Sequence, residues 1–237
     1  GGEEEGLRAV LQVLPGVRVA HQLQLVYSTG RDGYSLGSLY RKSETFPLLG
    51  PSLLLVIDSN GGRFGAYCSE HWQLRHRPYG NINSFLFRLV VTPEGEIKAE
   101  KFVPNSHHSR IMFSNEEFLG LGGTRPDQFA LGLNDKMSKG WTQRTRDFNN
   151  PPLSSGGTEF DVARVEVCML VDANESPYDD FGRPKNPKNK RPQGRGGPAA
   201  EDQFLLDAAG ITGCSKNFRA EKAQFEVVPE SEKEGQD

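Results

Sequence analysis

An uncharged apolar run, Leu53-Leu54-Leu55-Val56-Ile57, is followed by a polar, glycine-rich turn, Asp58-Ser59-Asn60-Gly61-Gly62, and then by a second stretch containing Phe64, Ala66 and Tyr67. This order predicts a β-hairpin. Because the first run is apolar at every position, its strand is expected to be covered on both faces. Upstream, residues 23–28 place Leu23, Leu25 and Tyr27 on one face, which predicts another strand. A loop then leads to Ser35, positioned to cap a short helix whose apolar stripe is Leu36, Leu39 and Tyr40. The segment 25–67 is therefore expected at the centre of the fold. Before it, Leu7, Val10, Leu11 and Leu14 recur at helical spacing and Pro15-Gly16 stops the pattern. That predicts a helix docked on the core, or alternatively the end of a longer helical region.

Downstream, residues 85–91 and 97–103 flank the turn Pro93-Glu94-Gly95. Phe85, Phe87, Leu89 and Val91 alternate with their neighbours, as in an antiparallel pair with one wet face. Residues 110–113 and 128–134 predict further strands. Leu119-Gly120-Leu121-Gly122-Gly123 reads as backbone that needs positive φ or close approach. The last core strand spans residues 160–170. Its apolar phase slips between Phe160, Val162 and Val165, Val167, Met169, which predicts a β-bulge near Ala163-Arg164. Many short strands and few helices give an α+β, mainly β, fold: a two-sheet antiparallel β-sandwich with small peripheral helices and a C-terminal irregular or helical extension.

Composition changes the picture at the C-terminal end. Hydrophobic residues make up 35% of the 237, with 27 Gly and 15 Pro, which predicts a packed core plus sizeable irregular segments. Residues 176–200 carry Pro177, Pro184, Pro187, Pro192 and Pro198 among the cations Arg183, Lys185, Lys188, Lys190, Arg191 and Arg195. No acidic residue lies between Arg183 and Arg195, and no core can be built from such a segment. Either it is a solvated linker or it is a basic arm that orders against an acidic partner. Residues 201–209 read as a short helix with Phe204, Leu205 and Ala208 on its stripe; residues 218–228 fit helix or strand. The expected organisation is a helical lead-in at 1–21, a folded domain at 22–171, the arm at 172–200 and a helical extension at 201–237.

The formal net charge of −3 argues against a general nucleic-acid binder. Cys68, Cys168 and Cys214 are far apart, odd in number and without a C-x-x-C, which suits a reducing, cytoplasmic compartment and gives no disulfide framework or zinc motif. No apolar run approaches the ~20 residues of a membrane span, and the start shows no secretory pattern, so direct membrane insertion is not expected.

Candidate chemistry is sparse. Gly33-Tyr34-Ser35-Leu36-Gly37 matches the G-x-S-x-G of a nucleophile elbow, but a loop rather than a sharp turn precedes it, and Ser35 as a helix cap accounts for the residue. His21, His71, His76, His107 and His108 lack the spacing of a metal helix. Trp72 and Trp141 sit among polar residues and are expected as exposed contact residues or half-buried loop residues. Glu166, between Val165 and Val167, is expected to face solvent on the wet side of its strand. Cys68 and Cys168 are in apolar contexts and are expected to be inert.

The segments Leu25-Val26-Tyr27-Ser28-Thr29-Gly30-Arg31-Asp32-Gly33-Tyr34-Ser35-Leu36, Leu39-Tyr40-Arg41, Gly50-Pro51-Ser52-Leu53-Leu54, Phe64-Gly65-Ala66, Tyr79-Gly80, Phe85-Leu86-Phe87, Gly122-Gly123, Phe129-Ala130-Leu131, Phe148-Asn149-Asn150-Pro151-Pro152-Leu153-Ser154 and Val165-Glu166-Val167 resemble, in this order, the TLDc domain of the oxidation-resistance proteins. The resemblance spans about residues 22–171. It implies a two-sheet sandwich, protection against oxidative stress, no catalytic residues and no cofactor, and binding to the cytosolic catalytic sector of the V-ATPase. The sequence departs from the family at Gly132 and Cys168, where tryptophan is usual, at Asn134, where an acid is usual, and at Gly140-Trp141-Thr142. The expectation is a non-enzymatic, cytoplasmic binding module for a large assembly. Trp72, Trp141, Arg183, Lys185, Lys188, Lys190, Arg191 and Arg195 are the candidate partner-binding residues. A structural subunit of a cytoskeletal or ciliary, microtubule-associated complex is one alternative; a protective hydrolase or peroxidase using Ser35 or a cysteine is the other.

Overall fold

The hairpin predicted around Asn60 is formed by β2 (Ser52–Asp58) and β3 (Arg63–Cys68). In the computed structural model, residues 2–15, 21–105 and 110–172 are described. The hairpin continues into β4 (Phe85–Val91) and β5 (Ile97–Phe102), paired antiparallel from Leu86↔Phe102 to Val91↔Ile97. On the other side of β2 lies β10 (Glu159–Asp172), and beyond it β1 (His21–Ser28). A second sheet is built from β6 (Met112–Ser114), β7 (Phe118–Leu121), β8 (Leu131–Asn134) and β9 (Lys139–Trp141), and joins the first through β10. Every pairing is antiparallel.

The main core lies between the two sheets. Leu54, Val56, Phe64, Ala66 and Leu86 from the first sheet meet Leu119, Leu121, Leu131 and Leu133 from the second, with Val165 and Val167 of β10 between them. Alternate residues point the other way, so Leu53, Tyr67, Phe85, Phe87, Cys168 and Leu170 form a second apolar layer on the outer face of the first sheet. That layer is covered by α1 (Gly2–Val13), whose Val10 joins it and which packs on β5 and β4. The apolar run of β2 therefore has cover on both sides, as its pattern predicts. The bulge is also where the phase slip puts it: the β10–β2 register shifts between Val162 and Arg164.

One of the predicted strands starts later than the pattern suggests, and the glycine-rich segment takes the positive φ expected of it. Residues 126–128 form a 3-10 turn with Pro126 at its start, so the strand begins only at Leu131. The glycine-rich segment at 119–123 is strand as far as Leu121, and Gly122 then takes a φ of +82°. Gly120 and Gly132 face each other across β7 and β8. A Cβ on either would come within 2.5 Å of the Phe129 ring, so the two glycines make the space that ring fills.

Around Ser35, the loop owes its shape to a few hydrogen bonds. Tyr27, fully buried, donates its hydroxyl to Gly33 O and accepts from Ser35 N at 3.2 Å. Ser35 Oγ accepts from Ser38 N at 3.3 Å and caps α3 (Leu36–Thr45), with Leu36, Leu39 and Tyr40 buried. Asp32, at the end of α2 (Thr29–Asp32), accepts from Ser28 N at 3.0 Å and lies 3.0 Å from Lys42 Nζ. Arg31 pairs with the same carboxylate and also donates to Val26 O at 2.7 Å. Burial works against the charge on Asp32, but donation from Arg31, Ser28 N and Lys42 outweighs it and lowers its pKa from 3.8 to about 2.

Two outcomes follow from these contacts. A Cβ at Gly65 would lie 2.0 Å from the Leu54 carbonyl oxygen and 2.9 Å from the Phe87 ring, so the backbone itself must move. Gly65→Ala is expected to cost roughly 2–3 kcal/mol in urea unfolding. Asp32 has a depressed pKa in the folded chain, so its contribution is complete above 3.8 and is lost as pH falls toward about 2. In the Asp32→Asn variant the acid limb of the stability curve over that window should be flatter than in the unsubstituted chain.

Candidate functional site

Between α1 and the outer face of the first sheet lies a cleft of about 80 Å³, walled by Leu7, Val10, Leu55, Phe87 and Leu89. Arg63, Arg164 and Glu166 line its polar side. Glu166 does not face solvent as its sequence context suggests: it is only 6% exposed. Val165 and Val167 turn into the main core, which leaves Glu166 on the outer face, where Leu7 and Val10 of α1 line the same cleft. Arg164 Nη1 lies 3.8 Å from Glu166 Oε1, so a guanidinium stands beside the buried carboxylate. A typical ligand pocket measures some 300–1,000 Å³. At about 80 Å³ this cleft is a packing gap with room for small groups, not a pocket for a metabolite.

The other reactive side chains are built into the scaffold. Cys68 and Cys168 are fully buried, and burial pushes the Cys68 thiol well above its ordinary range. Ser35 is occupied as the cap of α3. The pKa of His71 is lowered by burial, with Glu70 and Glu44 acting in the opposite sense. Among the described residues no group of three His, Cys, Asp or Glu side chains is close enough to share a metal ion. Asp58 is also buried, but its carboxylate accepts from Asn60 N, Gly62 N and Ser154 Oγ and serves to tie the hairpin turn to residue 154.

The candidate contact residues fall into three groups. Trp72 is 0% exposed and belongs to the main core, which corrects the expectation of an exposed contact residue. The polar residues around it mark a segment that folds back on β6 through a Tyr79↔Met112 bridge and so acquires a buried underside. The Trp72 Nε1 has no hydrogen-bond partner among the described residues. Trp141 is half-buried in β9, opposite Gly132 and Glu159. Arg183, Lys185, Lys188, Lys190, Arg191 and Arg195 lie outside the described residues, as do His107, His108 and the extension at 201–237. The pairing of Arg164 with Glu166 was not read from the sequence; the phase slip at Ala163 was the available signal, since it marks where β10 changes what it packs against.

Comparison with known proteins agrees with the fold. The TLDc domain matches residues 3–171, taking in α1 as well as both sheets. Oxidation resistance protein 1 of Yarrowia lipolytica is 31% identical over 160 residues, covering 65% of this chain and 66% of that protein. Oxidation resistance protein 1 of Rattus norvegicus is 29% identical over 154 residues, 65% of this chain and 17% of the other. The GTPase-activating protein skywalker of Drosophila melanogaster is 29% identical over 172 residues, 67% of this chain and 28% of the other. The chain thus aligns with between 17% and 66% of the length of these relatives. On the extent of the domain match and the sandwich that carries it, the chain belongs to the TLDc domain family.

Proposed function

We propose that this protein supports resistance to oxidative stress by binding, as a non-enzymatic module docked on a large assembly, with the cytosolic catalytic sector of the V-ATPase as its partner. The observation that carries the reading is the fate of the described thiols. A thiol that reduces peroxide must be reachable and readily ionised. Cys68 and Cys168 are fully buried, and Cys68 has a raised pKa. Protection then acts through a partner rather than through thiol chemistry in the sandwich. Oxidation resistance protein 1 in yeast, rodent and other relatives supports the stress-resistance part of this reading. The V-ATPase part rests on the family resemblance. The basic residues from Arg183 to Arg195 are assigned to an acidic face of the same partner.

Two experiments test it. The full chain, mixed with purified V-ATPase catalytic sector or with microtubules, should co-sediment with the former, and a chain lacking residues 176–200 should sediment less at low salt. Sedimentation with microtubules alone would transfer the module to a cytoskeletal assembly. In cells, a chain carrying Cys68→Ala and Cys168→Ala should protect against peroxide as well as the unsubstituted chain. Loss of protection by a normally folded double variant would return the function to thiol chemistry.

A further inference from the structure

Residues 69–84 connect β3 to β4, two strands that are neighbours in the sheet. Connections of this kind usually take about 2–5 residues, and loops beyond roughly 12–15 residues without elements of their own are mostly functional. This loop is long but fixed. Tyr79 and Met112 exchange two backbone hydrogen bonds, at 2.8 and 2.9 Å, and His76 N donates to Ser114 O at 2.9 Å. Gly80 N donates to Glu70 Oε1 and Asn81 N to Ser69 Oγ. Trp72 and Tyr79 are buried beneath it.

What this support holds outward is Leu74-Arg75-His76-Arg77, four consecutive exposed residues. Leu74 is 42% exposed, and Ile82 on the returning limb is 56% exposed. His76 is in the left-handed region, at φ +54°, a conformation histidine adopts more readily than most side chains and one that turns the chain at this point. The Arg75 guanidinium is 5.4 Å from the centre of the Tyr79 ring, and Arg75 and Arg77 form no ion pair among the described residues. Of the acids nearby, Glu116 lies 3.3 Å from His76 Nε2, Glu117 beside it is exposed, and Glu70 and Glu44 act on His71 together with Arg75.

We propose that residues 74–77, with Ile82 beside them, form a preformed docking finger for an acidic protein surface that offers carboxylates to the two arginines and an apolar notch to Leu74. Planar guanidinium groups match carboxylates, and flanking aliphatic side chains suit a protein surface better than a nucleic-acid backbone. The proposal rests on the reading of the chain as a binding module, but not on which assembly it binds.

The test uses the full chain and an Arg75→Glu, Arg77→Glu variant, with a fluorescent glutamate-rich peptide containing leucine, phosphatidylserine vesicles and duplex DNA as probes. Both sites are exposed, so the variant should unfold at the same urea concentration as the parent. The peptide should bind the parent and bind the variant ~10- to 100-fold more weakly. An Arg75→Lys, Arg77→Lys variant should fall between the two, because it keeps the charge and loses the fork. Equal peptide affinity of parent and charge-reversed chain, or no binding by the parent, overturns the finger. So does a loss confined to vesicles or DNA. Sedimentation with the V-ATPase catalytic sector, run alongside, separates the two readings. If parent and variant sediment equally and also bind the peptide equally, the finger is wrong and the module stands. If neither sediments while the peptide result holds, the finger stands and the V-ATPase assignment falls.

Discussion

One strand has to serve two sheets. β10 is fourteen residues long; residues 159–161 pair with β9 in one sheet, and most of the rest pair with β2 and β1 in the other. A strand with regular alternation would present the same residues to both surroundings. The register shift between Val162 and Arg164 breaks that alternation, so that Phe160 on one side and Val165 and Val167 on the other all reach the main core. The same strand sends Cys168 and Leu170 to the outer layer beneath α1. Each buried aliphatic side chain is worth about 1.5–3 kcal/mol, and this one strand places such side chains in both apolar layers. The position of Glu166 beneath α1 is a consequence of it.

Features set by local pattern were legible in the sequence. The double cover of Leu53 to Ile57 follows from a run with no polar position. The bulge follows from a phase slip, and the Ser35 cap from a serine just before an apolar stripe. Features set by distant cover were not legible. Glu166 reads from its own strand as solvent-facing, whereas in the fold it is buried and lines a cleft shared with α1, some 150 residues earlier in the chain. Trp72 reads as a surface residue for the same kind of reason: its neighbours are polar, yet it is buried in the main core in a segment that Tyr79 bridges to Met112. β9 is three residues long and carries a glycine, too short for any periodicity to register.

The site was less legible than the fold because the proposed role, binding, has no residue signature comparable to a metal or a nucleophile. The chemistry-bearing residues that can be placed are spoken for: Ser35 caps a helix, Asp58 ties a hairpin, Asp32 holds a loop and two thiols fill the core. What is left at the surface differs from ordinary loop composition only in how firmly it is held. Firmness is a tertiary property, so the sequence of residues 69–84 shows basic and proline-bearing turns and nothing more.

That firmness has an energetic meaning. Fixing the backbone of a residue costs roughly 1–2 kcal/mol, so ordering four residues on contact would subtract about 4–8 kcal/mol from any docking energy. In residues 74–77 that loss has already occurred on folding, offset by the bonds to Ser114 and the Tyr79–Met112 bridge. What remains on docking is side-chain ordering, about 0.5–1.5 kcal/mol for each long side chain, and Arg75 is already stacked over Tyr79. A tip whose backbone is already fixed can therefore bind through fewer contacts than one that must order on docking.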